Sequence, residues 1–319
     1  MKTDDLKLLT DKIQNAKSIL IAGHKNPDGD SFCSVLALAE LVKLNFGKSA
    51  LCVYDGNIPN MLDNVPLRAN MHFFGHVDLE KKFDLVFVVD YGTRNHMGGV
   101  MPAVESAKYV VEIDHHRNDD KIGDLCLDDV GAAAAGEIIF NIAKKLDWAR
   151  NVDVNNLLAL AILTDTGNFK YARKGKVLRI MAELVDSGVS IEWISNLLNN
   201  RPRKSVVTEA AVASRAEFLF RGRLAVATVG AQDYKHLDGR GELVLSLLGQ
   251  IKGVEYVALL KRQKENQTGV SLRSKTGRVD DIAVALGGGG HAYAAGAVVR
   301  DTIENVRARV LELFRERLK

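Results

Sequence analysis

Short apolar runs alternate with helical periodicities through the first two-thirds of the chain. Lys17 to Gly23 (KSILIAG) is a brief apolar run that stops at His24, and it reads as a buried strand. Ser31 to Phe46 carries apolar residues at helical spacing and meets a stop at Gly47. SALCVY from Ser49, DLVFVVD from Asp84 to Asp90 and KYVVEID from Lys108 to Asp114 are further strands. The middle one is β-branched and bounded by a charged turn and Gly92, which marks a central strand. Helical patterns follow at Ala133 to Leu146, at Val154 to Thr164 and over about Val177 to Ser187. Alternation of this kind predicts a parallel sheet with helices on both faces.

The pattern changes near Ser190. IEWISNLLNNRPRKS reads as a helical linker, and its basic run Arg201 to Lys204 reads as solvated. Strands are then expected at RLAVATVG from Arg223, VEYVALLKRQ from Val254, GVSLRS from Gly269 and AAGAVVR. Short helices are expected at Gly241 to Gly249 and Asp280 to Leu286, with a closing amphipathic helix from Thr302 to Leu318. Four successive glycines, Gly287 to Gly290, argue against the inside of any regular element. The expected fold class is α/β. An N-terminal parallel-sheet domain would span 1–189, a linker 190–214, and a smaller α/β domain 215–319.

Composition narrows this picture a little. A length of 319 residues suits two hydrophobic cores better than one. With 47% hydrophobic and 26% charged residues the chain is ordinary for a soluble globular protein. A net charge of +3 is too small to predict a polyanion partner, so any nucleic-acid contact needs a local basic patch. Cys33, Cys52 and Cys126 have no paired spacing and read as buried thiols of a reducing compartment. The opening MKTDDLKLLTDKIQ lacks an apolar signal core, and no window reaches the roughly 18 apolar residues of a membrane span. A cytoplasmic location is expected.

The chemistry sits where the strands end. His24, Asp28 and Asp30 lie in HKNPDGDS, Asp90 ends VFVVD, Asp114, His115 and His116 end VVEIDHH, and Asp165 lies in LTDTGNF. In an open α/β sheet ligands bind beyond the carboxyl ends of the strands, so residues distant in sequence can converge there. Acids and imidazoles without a matching cysteine cluster suit hard or borderline divalent metals, and more than four ligands suit two ions. Pro27 and Gly29 force a tight turn that would let Asp28 and Asp30 diverge toward adjacent sites, although an ordinary Asx-rich turn accounts for the same residues. Asp90 either bridges two cations or caps the next element. Of the adjacent imidazoles, one can bind metal while the other faces substrate, with Asp114 holding a tautomer. A polar turn running into RNDDK is the plain alternative. Asp165 closes an apolar helix, where the macrodipole disfavours a carboxylate unless a cation compensates. In GGGGHAYAAGA the missing Cβ atoms would let backbone N–H groups approach an anion, with His291 next in sequence. Arg273 and Ser274, ending GVSLRS, would add a guanidinium suited to phosphate. Trp148, Trp193 and the phenylalanines read as core. His72, His76, His96 and His236 lie outside any cluster.

Taken in order, these motifs resemble those of the DHH-family phosphoesterases that carry a DHH-associated C-terminal domain. HKNPDGDS, VVDYG, DHH and LTDTGNF resemble the four catalytic-domain motifs, and VSLRS with GGGGHAYAAG resembles the C-terminal signature. The match spans essentially the whole chain. It is nearest to the compact cytosolic members that act on short RNA, on 3′-phosphoadenosine 5′-phosphate (pAp), or on cyclic and linear dinucleotides. The resemblance implies two Mn²⁺ ions, with Mg²⁺ or Co²⁺ as substitutes. His24, Asp28 and Asp90 would hold the first, and Asp30, Asp90, His115 and Asp165 the second. His116 would contact the scissile phosphate or protonate the leaving oxygen, oriented by Asp114. Arg273, Ser274, Gly288, Gly289, Gly290 and His291 would grip the far end of the substrate. A homodimer is also implied. Three stretches depart from the family pattern: Cys33 replaces a smaller residue, Gly131 to Glu137 (GAAAAGE) lacks a Ser or Thr, and Phe169 to Val177 (FKYARKGKV) lacks an Asn-Thr.

The expected activity is that of a Mn-dependent phosphoesterase. It would degrade short single-stranded oligoribonucleotides to mononucleotides and also remove the 3′-phosphate of pAp. One alternative is a cyclic di-AMP or linear dinucleotide phosphodiesterase. Another, of a different class, is a non-catalytic nucleotide-binding regulator.

Overall fold

The computed structural model describes residues 2–172, 174–237 and 241–318; Arg173, in the FKYARKGKV stretch, lies outside them. The chain divides into two compact units, residues 1–200 and 201–319.

The first unit begins with helix α1 (Thr3–Asn15), strand β1 (Ile19–Ala22), α2 (Gly29–Phe46), β2 (Ala50–Tyr54), β3 (Met71–Phe73) and β4 (Leu85–Val89). It continues with α3 (Met101–Glu105), β5 (Val110–Ile113), β6 (Leu125–Cys126), α4 (Ala135–Lys145), α5 (Val152–Asp165), α6 (Gly175–Asp186) and α7 (Ile191–Asn199). The six strands pair in the order β3-β2-β1-β4-β5-β6, every pair parallel. The chain therefore leaves β1 toward one edge and returns as β4 on its other side. That reversal opens a crevice at the carboxyl ends of β1 and β4.

The two faces of this sheet are unequally covered. Ile19, Ile21, Phe87, Val89, Val111 and Ile113 pack in one core with the long helices α2, α4 and α5. Leu20, Ala22, Val86 and Val88 point the other way, against Met97, Val100, Ala103 and Val104. The cover on that side is a 3₁₀ stretch, Arg94–Val100, and the five-residue α3. Helix α2 is capped by Asp28, whose carboxylate accepts from the Ser31 amide, and it ends at Gly47 with φ 65°. Helix α5 is apolar nearly all round, with Leu157, Leu158, Leu160 and Ile162 unexposed. Each such side chain contributes about 1.5–3 kcal/mol by burial. Helices α2, α4 and α5 approach closely because a Cβ at Gly29 would collide with Thr164, and one at Gly136 with Ala161.

The second unit contains α8 (Arg203–Ser214), β7 (Glu217–Leu219), β8 (Leu224–Val229), α9 (Ala231–Tyr234), α10 (Glu242–Gln250) and β9 (Tyr256–Lys264). Then come β10 (Gln267–Ser274), α11 (Asp280–Ala285), β11 (Gly289–His291), β12 (Ala294–Val299) and α12 (Ile303–Arg317). Its sheet runs β11-β12-β10-β9-β8-β7, antiparallel except for the β8–β9 pair. Val306, Val310 and Phe314 of α12 cover one face, and Val244, Leu245 and Leu248 of α10 the other.

Three expectations are corrected. The glycine run does enter regular structure, since Gly289 and Gly290 form β11 against β12. Arg201 is not simply solvated. It pairs with the fully buried Glu209, which also accepts from Ser205 Oγ (3.0 Å) and the Leu243 amide (3.1 Å). Cys33 and Cys52 are buried, but Cys126 is exposed, because edge strand β6 leaves one side open. Among the described residues, no helix is long and apolar enough to cross a membrane.

Candidate metal centre

The carboxyl ends of β1, β4 and β5 bring seven acids and imidazoles together with Asp165 from the end of α5. His24 Nε2 lies 3.6 Å from Asp28 Oδ1 and 3.8 Å from Asp90 Oδ2. His115 Nε2 lies 3.4 Å from Asp90 Oδ1, 3.5 Å from Asp165 Oδ2 and 3.8 Å from Asp30 Oδ2. Within each of the sets His24–Asp28–Asp90 and Asp30–His115–Asp165, the donor atoms are within 4.8 Å of one another. Asp90 presents one oxygen to each set. His116 stands beside them, with Nδ1 3.4 Å from Asp90 Oδ1 and 2.8 Å from Asp114 Oδ1.

Local backbone chemistry sets these positions. Gly23 has no Cβ because that atom would lie 2.0 Å from Ser31 Oγ, which accepts from the His24 amide (3.1 Å). Asp90 adopts φ 52°, a left-handed conformation that Asp tolerates better than most residues, and so turns its carboxylate off the strand end. Asp114 accepts from the Gly92 amide (2.9 Å) and from the His116 amide (3.0 Å), which fixes its carboxylate across both strand ends. Asp30, in the first turn of α2, accepts from the amides of Ala135 (2.6 Å) and Gly136 (3.0 Å) and from Ser34 Oγ (2.9 Å). The amino end of α4 thus steadies a buried carboxylate, as its dipole favours. GAAAAGE contributes through its backbone, so it needs no hydroxyl for this contact. Sequence reasoning missed the bond of Ser31 to the His24 amide, Ser34 and these two amides. Only the start of a helical pattern at Ala133 hinted at them.

Electrostatics make the crowding explicit. Burial, with the charges of Asp90 and Asp165, pushes the Asp30 carboxyl well above its ordinary range. Burial, with Asp28 and Asp90, raises Asp165 to about 7 against the pull of His115. Burial alone would lower the His24 imidazole, yet Asp28 and Asp90 outweigh it and raise the group to about 9. His115 is raised in the same way by Asp90, Asp165 and Asp30. Asp114 is held low because its bond to His116 outweighs burial. Asp90 Oδ1 is buried and receives no hydrogen bond among the described residues. Four close carboxylates need positive charge from protons or cations, and this oxygen and imidazole donor set fits a divalent metal.

The sequence-predicted residues of the second unit form a different kind of place. Arg273 is bonded to Glu242 (2.6 Å) and to the Leu272 carbonyl (3.0 Å). Ser274 Oγ accepts from the Thr276 and Gly277 amides and shapes a turn. A Cβ at Gly288 would lie 2.1 Å from the Gly296 carbonyl oxygen, and one at Gly290 would lie 2.7 Å from Ala295 Cα. Those two glycines let β11 lie against β12. Gly289 has nothing within 4 Å of its would-be Cβ. Strand register sets Arg273 and His291 on either side of Ala294, at one end of the sheet.

The chain is similar to known proteins along most of its length. Residues 18–164 match the family described as "DHH family, N-terminal domain", and residues 222–319 match the "DHHA1 domain". The chain is 32% identical to the "Bifunctional oligoribonuclease and PAP phosphatase NrnA" of Thermus thermophilus, covering 94% of this chain and 90% of that protein. It is 28% identical to the "Probable bifunctional oligoribonuclease and PAP phosphatase NrnA" of Streptococcus mutans, covering 94% and 95%. A solved structure titled as an exopolyphosphatase-related protein from Bacteroides fragilis superposes with a TM-score of 0.88 over 99% of this chain and 98% of that one. It is 19% identical, which establishes the shared fold.

Proposed function

The chain belongs to the DHH family, and from that premise we propose that it is a metal-dependent phosphoesterase that degrades short oligoribonucleotides to mononucleotides and removes the 3′-phosphate of pAp. The observation that carries this reading is the convergence of two donor sets on the shared Asp90 carboxylate. Relatives named for both activities align along nearly the whole chain, which supports the substrate assignment.

His24, Asp28 and Asp90 would hold one Mn²⁺, and Asp30, Asp90, His115 and Asp165 a second. Such a pair supplies positive charge that activates water and neutralises phosphate oxygens. The chain's own residues do the rest. Asp114 holds the Nδ1–H tautomer of His116, and its bond raises that imidazole although burial opposes it. The raised imidazole favours the imidazolium form, which carries a second proton on Nε2, and that proton would go to the leaving oxygen. Arg273, Ser274, Gly288, Gly289, Gly290 and His291 would bind substrate phosphate at the end of the second sheet. A cytoplasmic homodimer belongs to the same proposal, and sedimentation equilibrium tests the dimer. The activity test is incubation with Mn²⁺ and a labelled pentaribonucleotide, and separately with pAp. Mononucleotide release and phosphate release are expected. Neither product, from a chain that binds Mn²⁺, would overturn the assignment.

A further inference from the structure

Glu112 is a carboxylate in the wrong place for a strand interior. It lies within β5 between Val111 and Ile113, with no exposed surface. A buried charge there is costly unless it is paired and hydrogen-bonded. Its pairing leads away from the metal centre and then back to it. Oε1 lies 2.9 Å from Lys121 Nζ, and Oε2 accepts from the amides of Ile122 (3.1 Å) and Gly123 (3.2 Å). Gly123 is needed for that approach, since a Cβ there would lie 2.7 Å from Glu112 Cβ. Lys121 Nζ also donates to Asp128 Oδ2 at 2.6 Å. The other oxygen of Asp128 accepts from the Asp114 amide (3.1 Å), and the Asp129 amide donates to the Asp114 carbonyl (3.1 Å). Asp114 in turn orients His116.

The segment from His116 to Gly123 is tied to the neighbouring strand end as well. Asn118 Nδ2 donates to the Tyr91 hydroxyl (2.8 Å), one residue beyond Asp90, and Arg94 pairs with Asp120 (3.4 Å). Glu112, Cys126 and Asp128 could by distance hold a cation of their own. The Lys121 ammonium already contacts both carboxylates there, so this cluster is read as an ion pair and not as a metal site.

We propose that the buried Glu112–Lys121 pair is a positioning device: through Asp128 and Asp114 it sets the orientation of the His116 imidazole. Neither residue touches substrate. The inference rests on the phosphoesterase reading only for its effect on rate, and its geometric content is tested without turnover. The His116 Nδ1 proton, held by Asp114, should give a distinct downfield imidazole resonance in the full-length chain. Glu112→Gln should shift or broaden that signal, and Lys121→Arg should preserve it. With saturating Mn²⁺ and pentaribonucleotide, Glu112→Gln should lose about tenfold in kcat with KM held within about twofold, as for an interaction expressed in the transition state. If Glu112→Gln does not fold, Glu112→Gln/Lys121→Met removes both charges together and is judged by the same signal. An unchanged resonance in the folded variant overturns the proposal, whatever happens to thermal stability. A changed resonance in a chain that binds Mn²⁺ yet hydrolyses nothing would leave the positioning role standing and remove the phosphoesterase reading.

Discussion

The candidate metal centre of the first unit and the glycine loop of the second are both glycine-bearing motifs at strand ends, yet their charges are treated in opposite ways. In the first unit, Asp30, Asp90 and Asp165 are pressed together and two of them are pushed far above their ordinary pKa. In the second, the Arg273 guanidinium is balanced by Glu242, and Gly288 and Gly290 serve strand packing. Packing does not need a crowded set of buried carboxylates, so that crowding indicates chemistry. A satisfied guanidinium beside close-packed glycines is scaffold first, and any ligand role comes on top of it.

The largest effect that separates the two regions should come from Asp165→Asn. The change removes a charged donor from the second ligand set, and kcat/KM with Mn²⁺ should fall about 10³-fold, as expected when a metal-centred electrostatic contribution is lost. Its effect on stability should run the other way. At pH 8 the metal-free chain holds Asp165 ionised against its neighbours, so the variant should melt higher. At pH 5 the wild-type carboxyl is protonated in the folded chain but still ionised in the unfolded one, so the gain should shrink, and it should vanish only below about 3.8. Scanning calorimetry of the metal-free proteins at the two pH values checks this. A lower melting temperature for the variant at pH 8 would mean that Asp165 is structural.

On the other side of the comparison, Gly288→Ala should cost stability before it costs binding. The new Cβ meets the Gly296 backbone, which cannot swing aside. Overpacking of this kind costs about 1–3 kcal/mol. Denaturant melts of the full chain measure it. A neutral result would show that the loop does not need its close approach to β12.

The pH dependence of metal binding sharpens the first region further. His24, raised to about 9, and Asp165, raised to about 7, must both give up protons to become ligands. His115 and Asp30, raised as well, add protons to be displaced. Mn²⁺ affinity should therefore rise with pH by up to about tenfold per pH unit per proton released, as the Asp165 proton is lost through about 7 and the His24 proton through about 9. Linkage gives the stability of the metal-free chain the opposite slope. Both folded-state pKa values are raised, so the folded chain binds more protons than the unfolded one. The contribution of Asp165 is complete below about 3.8 and is lost as pH rises through 7. That of His24 is complete below about 6.5 and is lost through 9. Calorimetry in buffers of different ionisation enthalpy counts the protons. A flat pH profile would contradict the ligand assignment of both groups.

How much was legible in sequence follows the same division. VFVVD was readable as a central strand because β-branched residues buried on both faces need no partner pattern to be recognised. The candidate ligand residues stood out because polar groups interrupt apolar runs at strand ends. The support beneath them was not. Asp30 is held by amides more than 100 positions away, and backbone donors leave no mark in composition. Strands β3 and β6 are three and two residues long, too short for any periodicity. Strand β11 was hidden because glycine argues against a strand unless a close neighbour demands it, and the neighbour, β12, comes later in the chain. Glu112 was passed over inside VVEID because its partner Lys121 sits in a loop that reads as merely polar.

The smallest expected effect is the one that decides whether the second region binds substrate at all. Gly289 has open space where its Cβ would go and no positive φ, so Gly289→Ala should change stability by no more than about 0.5 kcal/mol. If the loop only carries β11, the variant should be indistinguishable from wild type in every assay. If its backbone approaches a phosphate, one methyl group on that open side should raise KM about two- to threefold for the pentaribonucleotide while kcat stays constant, since uniform binding is what is lost. Paired with Gly288→Ala, this separates a glycine kept for packing from one kept for access. The loop's ligand role stands or falls on the KM of the quieter variant.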